Sequence, residues 1–139
     1  MGGPPVDHDE FGRWRTEADS ALRAARLQAE GGLHNWACFL AEQAAQRAVK
    51  GALHGLGRGP WGHDLVRLGE DLADVAEVPD GVADALRRLS RHYIPGRHPD
   101  AHPSGPAGTH YASSDSAEAL ADAGRVLGHV DAVWERLSL

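Results

Sequence analysis

From Leu33 to His54 an apolar residue returns at every third or fourth position, and most of the stripe is alanine: Leu33, Ala37, Leu40, Ala41, Ala44, Ala48 and Ala52. That spacing places all of them on one side of an α-helix, and side chains this small let a neighbouring helix approach closely. A chain carrying such a segment must bury it against other helices. The same periodicity recurs elsewhere. Phe11, Trp14, Ala18, Ala21, Leu22, Ala25 and Ala29 predict a first helix, stopped by Gly31-Gly32. Leu65, Leu68, Leu72 and Val75 predict a third over about 64–76, and Val82, Ala85, Leu86, Leu89 and Tyr93 a fourth that follows Pro79-Asp80 and frays near Pro95-Gly96. A fifth opens with Asp115 and Glu118 at capping-box spacing and presents Ala117, Leu120, Ala121, Leu127, Val130, Trp134 and Leu137. No segment alternates apolar and polar residues over a strand's length. The expected fold is all-α, an up-and-down bundle of four to five helices with short connections at 31–32, 55–63 and 77–80.

A chain of 139 residues supports one core and is short for two. Residues 1–9 are expected to form a flexible N-terminus and 10–139 a single helical domain. Within it, 95–114 stands apart as a Pro/Gly/His-rich loop, with four of the eight prolines and with His98, His102 and His110. Loops of this length in a compact domain are where function concentrates. No run approaches the roughly 18 apolar residues of a membrane span, and Met1-Gly2-Gly3-Pro4-Pro5 lacks the basic start and apolar stretch of a leader. The expectation is a cytoplasmic protein with no membrane partner. Cys38 is the only cysteine and lies in the apolar run from Trp36 to Leu40, which excludes an internal disulfide and a cysteine-based zinc cage and marks it as a core residue.

Fourteen Lys and Arg against twenty Asp and Glu give a net charge of −6, so nucleic acid can be held only by a local basic surface. Charge is distributed unevenly. Between 64 and 84 Arg67 faces Asp64, Glu70, Asp71, Asp74, Glu77, Asp80 and Asp84. Between 87 and 102 the sign reverses, with Arg87, Arg88, Arg91 and Arg97 against Asp100, and His92, His98 and His102 beside them. Arginine with a nearby histidine suits phosphodiester cleavage. Guanidinium grips two phosphate oxygens, while imidazole accepts and returns a proton near neutrality, so a 2′-hydroxyl of RNA can be driven onto its own phosphorus without a metal. An arginine followed after four to six residues by a histidine occurs five times, at Arg47/His54, Arg58/His63, Arg87/His92, Arg91/His98 and Arg97/His102. Random placement gives about 2.5, so spacing alone cannot choose. Context chooses Arg97/His102, inside the unusual loop, with Arg91/His98 second and Arg87 and Arg88 as flanking phosphate contacts. His63 reads as a helix-start residue. His98 and His102 have the spacing of a zinc pair but no adjacent helical carboxylate, and no metal or cofactor is expected.

These pieces resemble a known family. Phe39-Leu-Ala-Glu-Gln43-Ala-Ala-Gln-Arg-Ala-Val-Lys50 looks like the Gln-Ala-Ala-Glu-Lys-Ala-Leu-Lys helix of HEPN domains, and His63-Asp64-Leu65 is similar to their His-Asp-Leu helix start. Tyr93-Ile-Pro-Gly-Arg97-His-Pro99-Asp100 resembles their Tyr-x3-Arg-Tyr-Pro-Asp segment, and Ala117 to Val130 their closing helix, all collinear over about 10–137. The resemblance implies a helical bundle that pairs into homodimers and is often encoded with a small nucleotidyltransferase as toxin and antitoxin. Many members are metal-independent endoribonucleases with an Arg-x4–6-His motif, which falls here on Arg97 and His102, or alternatively on Arg91 and His98. Gln46 stands where the family usually has glutamate, and His98 replaces the tyrosine after the arginine. In one branch a tyrosine two residues beyond the histidine is modified. Ser104 holds that position here, which leaves Tyr111 as the candidate for modification.

Two functions therefore compete: a dimeric endoribonuclease toxin using Arg97 and His102 on RNA, and a non-catalytic helical subunit that binds a nucleotide or a nucleotidyltransferase through the same basic loop. Helix four and the segment after it are the expected dimer interface, because two-fold pairing doubles a site with one arginine and one histidine per chain.

Overall fold

A computed structural model of the protein describes residues 5–139. Five α-helices make up the bundle: α1 (His8–Glu30), α2 (His34–Gly55), α3 (Leu65–Ala73), α4 (Asp80–Ser90) and α5 (Ser113–Leu137), with short 3-10 turns at Pro99–Ala101 and Ala107–His110. Among the described residues there is no strand, and no helix is long and apolar enough to cross a membrane.

The alanine stripe makes α2 the centre. It packs against α1, α3, α4 and α5, and Ala37, Ala41, Ala44, Ala45, Ala48 and Ala52 are all fully buried. Small residues are obligatory at its C-terminal end. A Cβ on Gly51 would lie 2.7 Å from the Trp14 Cβ of α1, and one on Gly55 would lie 2.5 Å from the Trp134 ring of α5. Cys38 sits inside this core with no exposure, and burial pushes its thiol up to about 12.

Helix ends depart from the sequence expectation where a cap decides them. Residues 1–4 of the expected flexible N-terminus lie outside the described residues, but Asp7 to Asp9 are ordered. The Asp7 carboxylate accepts from the Glu10 amide at 3.0 Å and its own amide donates to Gly55 O at 2.8 Å, so α1 starts at His8. Asp64 caps α3 by accepting from the Val66 and Arg67 amides. Asp115 is not the first cap of α5. Its carboxylate reaches back to the Ala112 amide at 2.8 Å, as the third residue of a helix that opens at Ser113. α4 ends at Ser90 rather than Tyr93, and residues 91–97 continue as tight turns.

An ion pair ties α4 to α5. Arg88 donates through Nε and Nη2 to the two oxygens of Asp122 at 2.9 and 2.8 Å, and Arg125 adds a third bond at 2.8 Å. The Asp122 side chain is 1% exposed, so among the described residues these two arginines compensate its charge.

Candidate functional site

The segment after α4 is laid on the start of α2. The buried Asn35 amide donates to Gly96 O at 2.9 Å, and Gly96 is so closely fitted that a Cβ there would lie 2.6 Å from His92 O. This anchors the turn that presents Arg97. The Arg97 Nε donates to Tyr93 O at 2.9 Å, and its Cζ lies 4.5 Å from the Tyr93 ring centroid and 4.8 Å from that of Phe39. Two aromatic faces and one carbonyl therefore fix a half-buried guanidinium. Among the described residues no carboxylate pairs with it, and its Nη groups donate to nothing.

Beside this stack lies a polar cluster built by α2. The Glu42 carboxyl is fully buried, accepting from Gln46 Nε2 at 2.6 Å and from Gln43 Nε2 at 2.8 Å. Burial pushes it up to about 7, against the opposing pull of those two amides and of the Arg47 and Arg97 charges. Gln46 also donates to His63 O at 3.1 Å, and the His63 ring stacks on Tyr93 with centroids 5.4 Å apart and planes at 15°. His63, which the sequence marks as a helix-start residue, is thus joined to Arg97 through Tyr93. Glu42 was missed by sequence reasoning. Its signal is a glutamate and a glutamine four residues apart, each set among alanines of the buried stripe.

His102 faces different partners. Its Nε2 lies 2.7 Å from Pro95 O, and because a carbonyl only accepts, Nε2 carries the hydrogen and Nδ1 is the basic nitrogen of the neutral ring. The ring stacks on His110 with centroids 4.3 Å apart and planes at 4°, and meets Tyr111 edge-on. His110 is held in turn, with Nε2 against Ser104 O. The Tyr111 hydroxyl pairs with His92 Nδ1 at 2.9 Å. Burial pushes the Tyr111 phenol up to about 12 and lowers His92, so this tyrosine, the candidate for modification, is hydrogen-bonded and hard to ionise.

The six arginines and histidines singled out by sequence thus separate. Arg97 and His102 sit on one turn but make no hydrogen bond to each other, the first turned to α2 and the second to Pro95 and His110. Arg91 and His98 are exposed and uncommitted. Arg87 is ion-paired with Asp84, and Arg88 is bound to Asp122, so neither is a free phosphate contact. Among the described residues no group of three or more His, Cys, Asp or Glu side chains could hold a metal ion.

Comparison with known proteins agrees with this architecture. Residues 11–133 match the HEPN domain. The crystal structure of TT1696 from Thermus thermophilus superposes with a TM-score of 0.86 at 39% identity, covering 89% of this chain and 98% of that one. ST0689, described as an archaeal HEPN homologue, gives 0.75 at 30% identity over 88% and 96% of the two chains. A HEPN domain protein of Thermotoga maritima, TM0613, gives 0.74 at 25% over 90% and 99%. No curated protein matches the chain significantly.

Proposed function

Since this chain belongs to the HEPN domain family, which includes ribonucleases and nucleotide-binding proteins, we propose that it is a binding subunit for a phosphate-bearing nucleotide, free or within RNA, and that Arg97 is the phosphate anchor. One observation carries this reading: the Arg97 guanidinium is fixed by Tyr93 and Phe39 while its Nη groups are unspent. A pre-positioned guanidinium without a carboxylate partner loses little freedom when it grips an oxyanion. The exposed Arg91 adds positive charge to the same segment. Trp36 and Ile94, 43% and 47% exposed, and Leu33 flank it with apolar surface, which suits pairing of two copies across this face. A separately encoded nucleotidyltransferase is the proposed partner, with the acidic stretch 64–84 as its docking side. Titration with a 5′-nucleotide and with a short oligoribonucleotide tests the assignment. Arg97→Ala weakens binding at least tenfold while Arg87→Ala changes it little, and equal binding by both variants refutes it.

RNA cleavage is the second reading, favoured by the orientation of His102. The Pro95 carbonyl fixes its tautomer and leaves Nδ1 as a base, the arrangement a general acid or base needs. Arg97 would then stabilise the phosphorane-like transition state once a second copy completes the site. Incubation with RNA in EDTA decides. Cleavage that leaves 2′,3′-cyclic ends and disappears in His102→Ala supports it, and intact RNA with retained binding leaves the binding subunit.

A further inference from the structure

A second cationic hollow lies between α1 and α2, with no residue of the 91–102 segment in its lining. It is a cavity of about 180 Å³ lined by Trp14, Gln43, Gln46, Arg47, Lys50 and His63. Its two cations are unusual in this acidic molecule. Arg47 and Lys50 are both half-buried, lie one helical turn apart on α2, and are bridged by no carboxylate among the described residues. Arg47 Nη1 donates only to the carbonyl and side-chain oxygens of Gln43, and Lys50 has no hydrogen-bond partner among the described residues. The buried Glu42 is the carboxylate nearest in the chain, but its two oxygens are taken by Gln46 and Gln43. Burial and the neighbouring Arg47 both lower Lys50, against a smaller opposing pull from the charge of Glu42, which forms no ion pair with either cation. From α1 the hollow is closed by Trp14, whose indole Nε1 donates to Glu10 at 2.9 Å, and that glutamate is also engaged by Arg13. His63 stands at the rim, its Nδ1 turned to Gln46 Oε1 at 3.4 Å.

We propose that this hollow is an oxyanion site for a terminal phosphate group, held by Arg47 and Lys50 with His63 at its mouth. A phosphate monoester is a dianion near neutral pH and supplies the charge that the two side chains lack, whereas an internal phosphodiester carries a single charge and must fit two bulky ester arms into a hollow of this size. Arg97 is not among its lining residues and contacts Tyr93 and Phe39 instead.

The test follows the indole Nε1 resonance of Trp14 and the Gln43 and Gln46 carboxamides by 15N NMR in the full chain. Inorganic phosphate, adenosine 5′-monophosphate and a pentaribonucleotide without a terminal phosphate are titrated at constant ionic strength. Saturable shifts with the first two, weakened at least tenfold in Arg47→Gln and in Lys50→Met but unchanged in Arg97→Ala, establish the site. Tighter binding of the nucleotide than of inorganic phosphate identifies a nucleotide source, and equal binding identifies free phosphate. Lys50→Met keeps the aliphatic stem, and circular dichroism confirms that both variants fold. Shifts reproduced by chloride, shifts that persist in both variants, or a preference for the pentaribonucleotide overturn the proposal. In Arg97→Ala, loss of the nucleotide-induced shifts of residues 91–102 while those of Trp14, Gln43 and Gln46 remain separates this site from the one proposed above.

Discussion

α2 and the segment 91–112 touch one another, yet they are held by different forces. Most of α2 is secured by apolar packing, with Ala44, Ala48 and Ala52 fully enclosed and Gly51 and Gly55 permitting the approach of tryptophans. The segment buries little of its own, with Ala107 and Gly96 its buried residues. It is held by side chains that bind backbone carbonyls: Asn35 to Gly96, Arg97 to Tyr93, His102 to Pro95, His110 to Ser104 and Thr109 to Pro106. Packing is cooperative and spread over many neighbours, whereas each of these bonds stands alone. The helices form a scaffold that fails as a whole. The segment is a fitted appendage that can be undone piece by piece.

Truncation in the scaffold breaks the comparison most severely. Leu68→Ala, at a fully buried position in α3, is expected to cost about 4 kcal/mol and to lower Tm by roughly 10 °C, in one transition seen alike by near-ultraviolet and far-ultraviolet dichroism. Glu42 sharpens it, being a carboxyl sealed inside α2's packing next to the site. Its folded value of about 7 exceeds the ordinary 4.5, so between these values the folded state holds a proton that the unfolded state has released. Its contribution is therefore present below pH 4.5 and lost as pH rises to 7, at most about 3 kcal/mol. Glu42→Gln removes that slope, which denaturant titrations at pH 5 and pH 8 measure as a smaller difference between the two conditions. In the segment, Asn35→Ala leaves Gly96 O without its donor and costs about 2 kcal/mol. The expected sign is local: faster hydrogen exchange and proteolysis over 96–110 while the bundle's own amides stay protected. The smallest effect belongs to Arg91→Ala, an exposed and unpaired residue. Stability should move by less than about 0.5 kcal/mol, while nucleotide affinity falls measurably and becomes less sensitive to salt.

The same contrast governs what the sequence reveals. Periodicity locates all five helices because each has a buried stripe, with Leu65, Leu68 and Leu72 repeating in register with the turn, but it misplaces part of the face of α5: Ala117, Ala121 and Leu137 are exposed, while Ala119, Ala123, Val126 and Val133 are buried. Helix ends shift by two or three residues because they depend on single bonds such as Asp7 to Glu10 and Asp115 to Ala112. Site residues are legible as types but not as directions. Arg97 and His102 have the spacing of one turn, but nothing in that spacing says that the first lies on Phe39 and the second on Pro95 O. Arg88 looks like part of a basic surface because its partner Asp122 is 34 positions away. Glu42 and Lys50 are invisible for a related reason, since their meaning comes from Trp14, His63 and Gln46, which helix packing brings to them.

Cys38 has a practical consequence. A single thiol that is sealed in the bundle and resists ionisation is silent towards alkylating reagents. Any cysteine introduced on the surface, at Ile94 or Arg91 for instance, becomes the sole point of attachment for a spin or fluorescent label. The motion of the appended segment against the scaffold, and the approach of a second copy if the chain pairs, can then be read in the otherwise native chain.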